Sequence, residues 1–276
     1  MSYCQGMGTA VITGASSGIG AIYADRMAGR GYDVVLVARN ERRLGDVADR
    51  VGDAHGRSVK VVIADLNNPV ALHHLETTIR TDKSVTMLVN CAGFGAASSL
   101  VDSDVDQMEE MILLNIRALT RLTHAVAPAF VARGTGTIIN IASILAIQPA
   151  ILNSVYGATK AYVLAFTQAL HHELSAKGVR IHIVLPGPTV TDFWRVAGIA
   201  HTSLPEDWMM TPEDVVDASL DGLDRGEIVT IPSLQDPADW CSFDAERHIF
   251  FQKLLHSTPA PRYRSSCLSK QELRTP

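Results

Sequence analysis

The sequence predicts an α/β protein with a doubly wound parallel sheet. Three observations carry this. Short β-branched runs alternate with longer helical stretches along most of the 276 residues. The runs are apolar on both faces, as expected of parallel strands covered by helices on either side. The first run leads straight into a cluster of three glycines, where an open α/β sheet binds its ligands.

The predicted strands, in order, are T-A-V-I-T (9–13), D-V-V-L-V-A (33–38), V-K-V-V-I-A (59–64), T-M-L-V-N (86–90), T-I-I-N-I (137–141), R-I-H-I-V-L (180–185) and I-V-T-I (228–231). Helices are expected near 19–30, 41–51, 69–80, 105–133, 155–177 and 213–225. Beyond them lie a Pro-rich loop, an aromatic stretch at 240–255 that reads as an amphipathic helix, and a polar tail expected to be disordered. No repeat is visible beyond the βα unit itself.

Composition narrows the function. Hydrophobic residues make up 47% and charged residues 19%, which points to a large core. The net charge of −5 gives no electrostatic footprint for nucleic acid. Cys4, Cys91, Cys241 and Cys267 are scattered, so neither a disulfide framework nor a zinc site is indicated, and a cytoplasmic protein is expected. No signal peptide is evident, and the apolar stretch 138–152 is too short and too interrupted to span a membrane. His73–His74 and His171–His172–Glu173 lack the H-E-x-x-H arrangement, so no metal site is expected. Asp102, Asp104 and Asp106 read as helix-entry residues rather than a calcium loop.

The glycine loop reads T13-G-A-S-S-G-I-G20. Gly14, Gly18 and Gly20 let backbone N–H groups approach a pyrophosphate at the start of the next helix. No Lys-Ser/Thr follows, so this is not a P-loop. Gly14-Ala-Ser-Ser-Gly18 does match the hydrolase elbow G-x-S-x-G, but an elbow follows several strands and this loop closes the first. A dinucleotide is the expected ligand. At the end of the second strand Arg39 follows Ala38, where an acid would hold an unphosphorylated ribose. A guanidinium binds a 2′-phosphate that a carboxylate would repel, so NADP(H) is favoured over NAD(H). Neither Ser16 nor Ser17 adds a second positive charge.

Residues 154–162 read S-V-Y-G-A-T-K-A-Y, placing Tyr156 and Lys160 one helical turn apart. A nearby ammonium favours the phenolate, so this spacing predicts a tyrosine whose pKa is lowered toward neutrality. Taken alone, the pair reads more readily as a core-facing Tyr beside a solvated Lys than as a catalytic pair.

These motifs, with N90-C-A-G93, Asn115, Ser143 and P186-G-P-T189, resemble the short-chain dehydrogenase/reductase family over roughly residues 7–231. The resemblance implies a single Rossmann-type domain with seven parallel strands. It implies a catalytic set of Asn115, Ser143, Tyr156 and Lys160. Tyr156 would be the general acid/base, and Lys160 would tune it and hold the nicotinamide ribose. Ser143 would orient the substrate carbonyl, and Asn115 would anchor a water. The cofactor would lie along Gly14, Ser16, Ser17, Gly18, Ile19 and Gly20, then Arg39, Asp65 with Leu66, Asn90, Ala92 and Gly93, and finally Pro186 and Thr189, beside Tyr156 and Lys160. Cys91 stands where the family commonly has Ala, a small-for-small change. Family members commonly form dimers or tetramers through two long helices, here 105–133 and 155–177, so a homodimer or homotetramer is expected.

The apolar loop between Ser143 and Tyr156 and the aromatic, Met-rich segment 192–210 suggest a substrate wall containing Phe193, Trp194, Ile199, Trp208 and Met209. The substrate expected is a hydrophobic ketone, aldehyde or secondary alcohol, bound by Ser143, Tyr156, Phe193 and Trp194. Arg195, the one nearby charge that could hold a carboxylate, keeps acyl or keto-acid substrates open. A catalytically inactive NADP(H)-binding sensor is the alternative, though no member of the set is missing. An epimerase or dehydratase of an extended relative would need a longer C-terminal substrate domain. The expected layout is a dinucleotide-binding and catalytic domain at 1–232 with a lid at about 190–212. A C-terminal extension at 233–261 follows, its helix packed on the lid or a neighbouring subunit, and then a tail at 262–276.

Overall fold

The computed structural model describes residues 7–149, 153–199 and 204–263. The chain divides into two compact units, residues 1–233 and 234–276.

The first unit is built on a seven-stranded parallel sheet, β1 (Thr9–Thr13), β2 (Asp33–Ala38), β3 (Val59–Ile63), β4 (Val85–Asn90), β5 (Gly136–Ile141), β6 (Val179–Val184) and β7 (Val229–Thr230). Their order is β3-β2-β1-β4-β5-β6-β7, the doubly wound arrangement expected. The strand order reverses between β1 and β4, and that is where such sheets hold ligands. Helices α1 (Gly18–Gly29), α2 (Glu41–His55) and α8 (Pro212–Arg225) bury one face. On the other face lie α3 (Pro69–Thr81), α5 (Leu119–Arg133) and α6 (Ser154–Leu174), with α4 (Val105–Ile112) leading into α5.

Local chemistry sets the helix ends. Asn40, Asn68, Asp104 and Thr211 cap their helices through side-chain oxygens that accept from first-turn N–H groups. Pro69 and Pro212 begin α3 and α8, where a missing N–H costs nothing. Helix α2 outruns the expected 41–51. It stops only at Gly56, whose φ of 61° ends the helix and whose N–H donates to Gly52 O at 2.8 Å.

Two expectations are corrected. β3 is not buried on both faces: as an edge strand it leaves Val61 37% and Ile63 47% exposed. The single helix expected over 105–133 is interrupted by a π-helical turn at Leu113–Ala118, which contains Asn115. Such turns are rare and gather at functional sites.

A buried polar chain joins α1, β6 and α8. His182 Nδ1 donates to Glu227 O (2.9 Å), so its Nε2 accepts from Ser219 Oγ (3.2 Å), which in turn accepts from Tyr23 OH (2.5 Å). His182 is fully buried, and burial holds its pKa below the ordinary value.

The second unit contains helix α9 (Pro237–Gln252), capped by Asp236, and a short helical turn at Pro261–Tyr263. The aromatic stretch is helical as expected, but none of its residues is buried. Phe243, Ile249, Phe250, Phe251, Leu254 and Leu255 are 41–61% exposed. Most of the expected disordered tail, 264–276, lies outside the described residues. Among the described residues no helix is long and apolar enough to cross a membrane.

Candidate active site

The site begins where β1 ends. Gly14 sits at φ 69° and Gly18 at φ 52°, in the left-handed region that a side chain disfavours. A Cβ on Gly14 would stand 2.9 Å from the backbone of Ala92, and one on Gly20 would stand 2.4 Å from Gly14 O. The loop is therefore held close to the next strand by bare backbone. Thr13 fixes that approach: its Oγ1 accepts from the N–H groups of Cys91 and Ala92, both at 3.0 Å, and donates to Val89 O. Ser17 precedes α1 without spending its side chain on the cap, and no acidic residue stands in the first turn. A helix N-terminus left in this state accepts an anion. Ser16, Ser17 and Ile19 are half-buried beside it.

Asn90 continues the floor. Its Nδ2 donates to Asn140 Oδ1 (2.9 Å) and Thr123 Oγ1 (3.1 Å), and Asn140 passes the chain on to Thr167 of α6. Gly93 closes against two of the expected site residues, since a Cβ there would meet Asn115 Oδ1 at 2.9 Å and Lys160 Nζ at 3.7 Å. At the far end of the cleft Arg39 is exposed and makes no ion pair or hydrogen bond among the described residues. Asp65 is exposed, and its carboxylate accepts from Asn67 N (2.9 Å), while Leu66 is buried.

The π-helical turn presents Asn115 edge-on to the loop after β4. Its Oδ1 accepts from Phe94 N (3.1 Å), and its Nδ2 donates to Phe94 O (2.9 Å) and Thr159 Oγ1 (3.1 Å). Ser143, at the end of β5, is extended and 9% exposed, and its Oγ accepts from Leu145 N (3.1 Å). Asn153 caps α6 and donates to Ser98 O and Ser103 Oγ, tying the helix start to the same loop. One turn into α6 lies Tyr156, 6% exposed, and a turn later Lys160, 8% exposed.

Lys160 Nζ donates to Ile141 O (2.9 Å) and lies 5.8 Å from the centre of the Tyr156 ring. The expected depression of the tyrosine pKa is absent. Burial pushes the Tyr156 phenol above its ordinary value, and the hydrogen bond with Ser143 offsets only part of that. The lysine itself yields: burial lowers its pKa to about 8. Desolvation of the phenol is the larger effect in this site. The neighbouring Cys91 thiol is pushed up to about 12 by burial and stays protonated.

The roof is the strap after β6. Pro186 and Thr189 are buried, and Thr189 Oγ1 donates to Gly187 O. Phe193, in the short helix α7 (Phe193–Val196), lies 5.4 Å from the Tyr156 ring. Gly95 makes room for both: a Cβ there would strike Phe193 Cζ at 2.6 Å and stand 3.0 Å from Tyr156 Cδ2. Trp194 does otherwise. It is buried, its Nε1 donates to Thr189 O (2.8 Å), and it lines an outer hollow of about 710 Å³ with Val190, Thr191, Asp192, Arg195 and Ile199. Of the residues expected to form a greasy wall, only Phe193 meets Tyr156, while Trp208 is 60% exposed. The π-helical turn and Gly95 escaped the sequence reading: the first depends on tertiary contacts of Asn115, and the second has no motif.

The donor set fits a dinucleotide: a bare glycine cradle at a helix N-terminus, an unpaired guanidinium at one end and an acid/base cluster at the other. A doubly wound sheet carrying this constellation at its switch point defines a dinucleotide-dependent oxidoreductase. Comparison with known proteins agrees. The family model for short chain dehydrogenases matches residues 8–199, and the chain belongs to that family. It is similar to a short-chain dehydrogenase from Sphingobium yanoikuyae in complex with NADPH, at 44% identity and TM-score 0.91, covering 94% of this chain and 100% of that one. It is likewise similar to the bulky-bulky ketone specific alcohol dehydrogenase from Comamonas testosteroni, at 38% identity and TM-score 0.87, with 94% and 100% covered. An uncharacterized oxidoreductase of Staphylococcus saprophyticus is 35% identical over 227 residues, 80% of this chain and 93% of its own length.

Proposed function

We propose that this short-chain dehydrogenase transfers a hydride between NADP(H) and a hydrophobic ketone, aldehyde or secondary alcohol, with Tyr156 as general acid/base. The observation that carries the reading is the convergence of Ser143, Tyr156, Lys160 and Asn115 in one buried cluster under an aromatic roof. Cofactor choice rests on the unpaired Arg39 and on the NADPH complex of the Sphingobium relative. Substrate class rests on Phe193 and on the ketone preference in the description of the Comamonas enzyme.

Bound NADPH supplies the hydride. Gly14, Ser16, Ser17, Gly18, Ile19 and Gly20 would hold the pyrophosphate, and Arg39 would bind the 2′-phosphate. Asp65 and Leu66 would flank the adenine, Asn90, Ala92 and Gly93 would line the floor, and Pro186 and Thr189 would hold the nicotinamide end. In ketone reduction Ser143 donates a hydrogen bond to the substrate oxygen, where negative charge develops. The neutral Tyr156, kept protonated by burial, gives that oxygen its proton. The amine of Lys160 hydrogen-bonds the nicotinamide ribose and, charged below about pH 8, favours the phenolate that remains. Asn115 fixes the loop at Phe94, which borders the site. The protein works as a homodimer or homotetramer through its two long helices, with the exposed apolar residues of α9 covered in the assembly.

The deciding experiment follows NADPH absorbance with purified full-length protein over ketones of graded bulk, and the reverse reaction over the matching alcohols. Turnover of ketones with two large substituents is expected. NADPH binding without turnover of any carbonyl or alcohol would instead make the chain a sensor. Light scattering reads the oligomeric state on the same sample.

A further inference from the structure

Among the described residues, an ion pair joins the strap after β6 to the start of α2. Arg43, on the first turn of α2, reaches Asp192 with Nη1 2.5 Å from Oδ2. Helix α2 follows β2, whereas Asp192 follows β6, and β1, β4 and β5 lie between those strands. The pair therefore bridges the mouth of the cleft. It does so above the glycine loop, because the neighbouring Thr191 lies against Gly18, 3.0 Å from the position of a Cβ there. Asp192 in turn is adjacent to Phe193, the residue that covers Tyr156.

Arg43 has a second claimant. It sits four residues beyond Arg39, on the helix turn that Asn40 caps, and a helix start attracts anions. Both partners of the pair are well exposed, with side chains 48% and 40% accessible, and exposed pairs hold weakly. A phosphate dianion is a stronger partner for a guanidinium than one exposed carboxylate.

We propose that Asp192 and Arg43 form a latch that keeps the strap shut over Tyr156, and that a 2′-phosphate bound at Arg39 opens it by drawing Arg43 away. The inference rests on the NADP(H) reading above. It makes Asp192 a specificity-determining residue. NADP(H) not only binds at Arg39 but also clears Phe193 from the substrate's path, which NAD(H), without the phosphate, does not do. Cofactor then binds before substrate. The guanidinium of Arg43 already holds the Asp192 carboxyl below its ordinary range, so the acid stays charged, and the latch set, through neutral pH. Arg195 is a looser second partner, 3.8 Å from Asp192, and keeps the released carboxylate compensated.

The test is hydrogen–deuterium exchange on the full chain with 2′,5′-ADP and with ADP, neither of which carries a nicotinamide, alongside calorimetry of both. With 2′,5′-ADP the glycine loop should gain protection while residues 190–199 exchange several-fold faster. With ADP only the loop should respond. Asp192→Asn should show the fast strap without ligand, and Arg43→Gln should show it too and lose the response to 2′,5′-ADP. If 2′,5′-ADP binds tightly and the strap does not change, or changes equally with ADP, the latch is wrong. If 2′,5′-ADP binds no more tightly than ADP, the NADP(H) reading fails first and the latch fails with it.

Discussion

The two walls of the cleft follow opposite plans. The floor is fixed by backbone and by short polar side chains: Thr13 clasps two N–H groups, Asn90 and Asn140 relay to α6, and Asn115 grips Phe94 from both sides. The roof is a strap held by an aromatic ring, an indole N–H and one exposed ion pair. Buried polar networks of this kind restrict the geometry, even though the Asn90 Oδ1 finds no partner. Exposed pairs and aromatic contacts allow several. On the function proposed above, the difference separates the tasks: the floor would fix where the proton and cofactor sit, and the roof would decide what is admitted.

Substitutions sharpen that separation. The largest effect is expected from Tyr156→Phe, which leaves the ring and removes the proton. The maximal rate of ketone reduction should fall by about 10²–10⁴-fold, while NADPH affinity measured by fluorescence titration stays nearly unchanged. A parallel loss of binding would mean that the floor is not independent of its catalytic group. Gly95→Ala comes next, because its methyl would press on floor and roof together. Displacing reacting groups by about 1 Å costs roughly 10²-fold, so kcat/KM should drop by about that factor with folding intact by circular dichroism. Wild-type kinetics would show that the strap gives way freely.

Arg39→Asp acts only on the far end of the floor. Losing a charge-assisted hydrogen bond costs about 1.5–3 kcal/mol, so NADPH should bind roughly 10–100-fold more weakly, with NADH little changed. Equal wild-type affinity for the two cofactors would refute the assignment of Arg39. The smallest effect lies outside the cleft. His182 is buried neutral, so its folded pKa lies below the unfolded value near ~6.5. Between those values the unfolded chain binds more protons. The stability that His182 contributes is complete above about pH 6.5 and is lost as pH falls through the folded pKa. Melting temperature should therefore decline from pH 7.5 to pH 5, and His182→Gln should flatten that slope. An unchanged slope would assign the acid sensitivity elsewhere.

The floor was largely legible in the sequence, because its groups are set by motifs of fixed spacing at strand ends. Gly14, Gly18 and Gly20 follow β1, Asn90 ends β4, and Tyr156 and Lys160 share a helix face. The roof was legible only as composition. The aromatic character of 192–210 was plain, yet nothing local told Phe193, which meets Tyr156, from Trp194, which turns its N–H to Thr189, or from Trp208 at the surface. Electrostatics misled in one place: the Tyr156–Lys160 spacing implied a lowered phenol pKa, but desolvation is the larger effect in the folded site. The exposed face of β3 escaped for a related reason, since apolar sequence reports what can be buried and not what is.

The π-helical turn at Leu113–Ala118 has a further consequence, for the length of the chain itself. Such a turn holds one residue more than an α-helical turn. Each residue advances an α-helix by about 100°. Deleting one residue between Leu113 and Asn115 would therefore heal the helix and lose the function: α4 and α5 would run on as one regular rod, and Asn115 would be out of phase with Phe94. The catalytic geometry is in that sense recorded as a count of residues, one more than regular helix needs, and a frame-preserving deletion here would be more damaging than most substitutions of the same side chains.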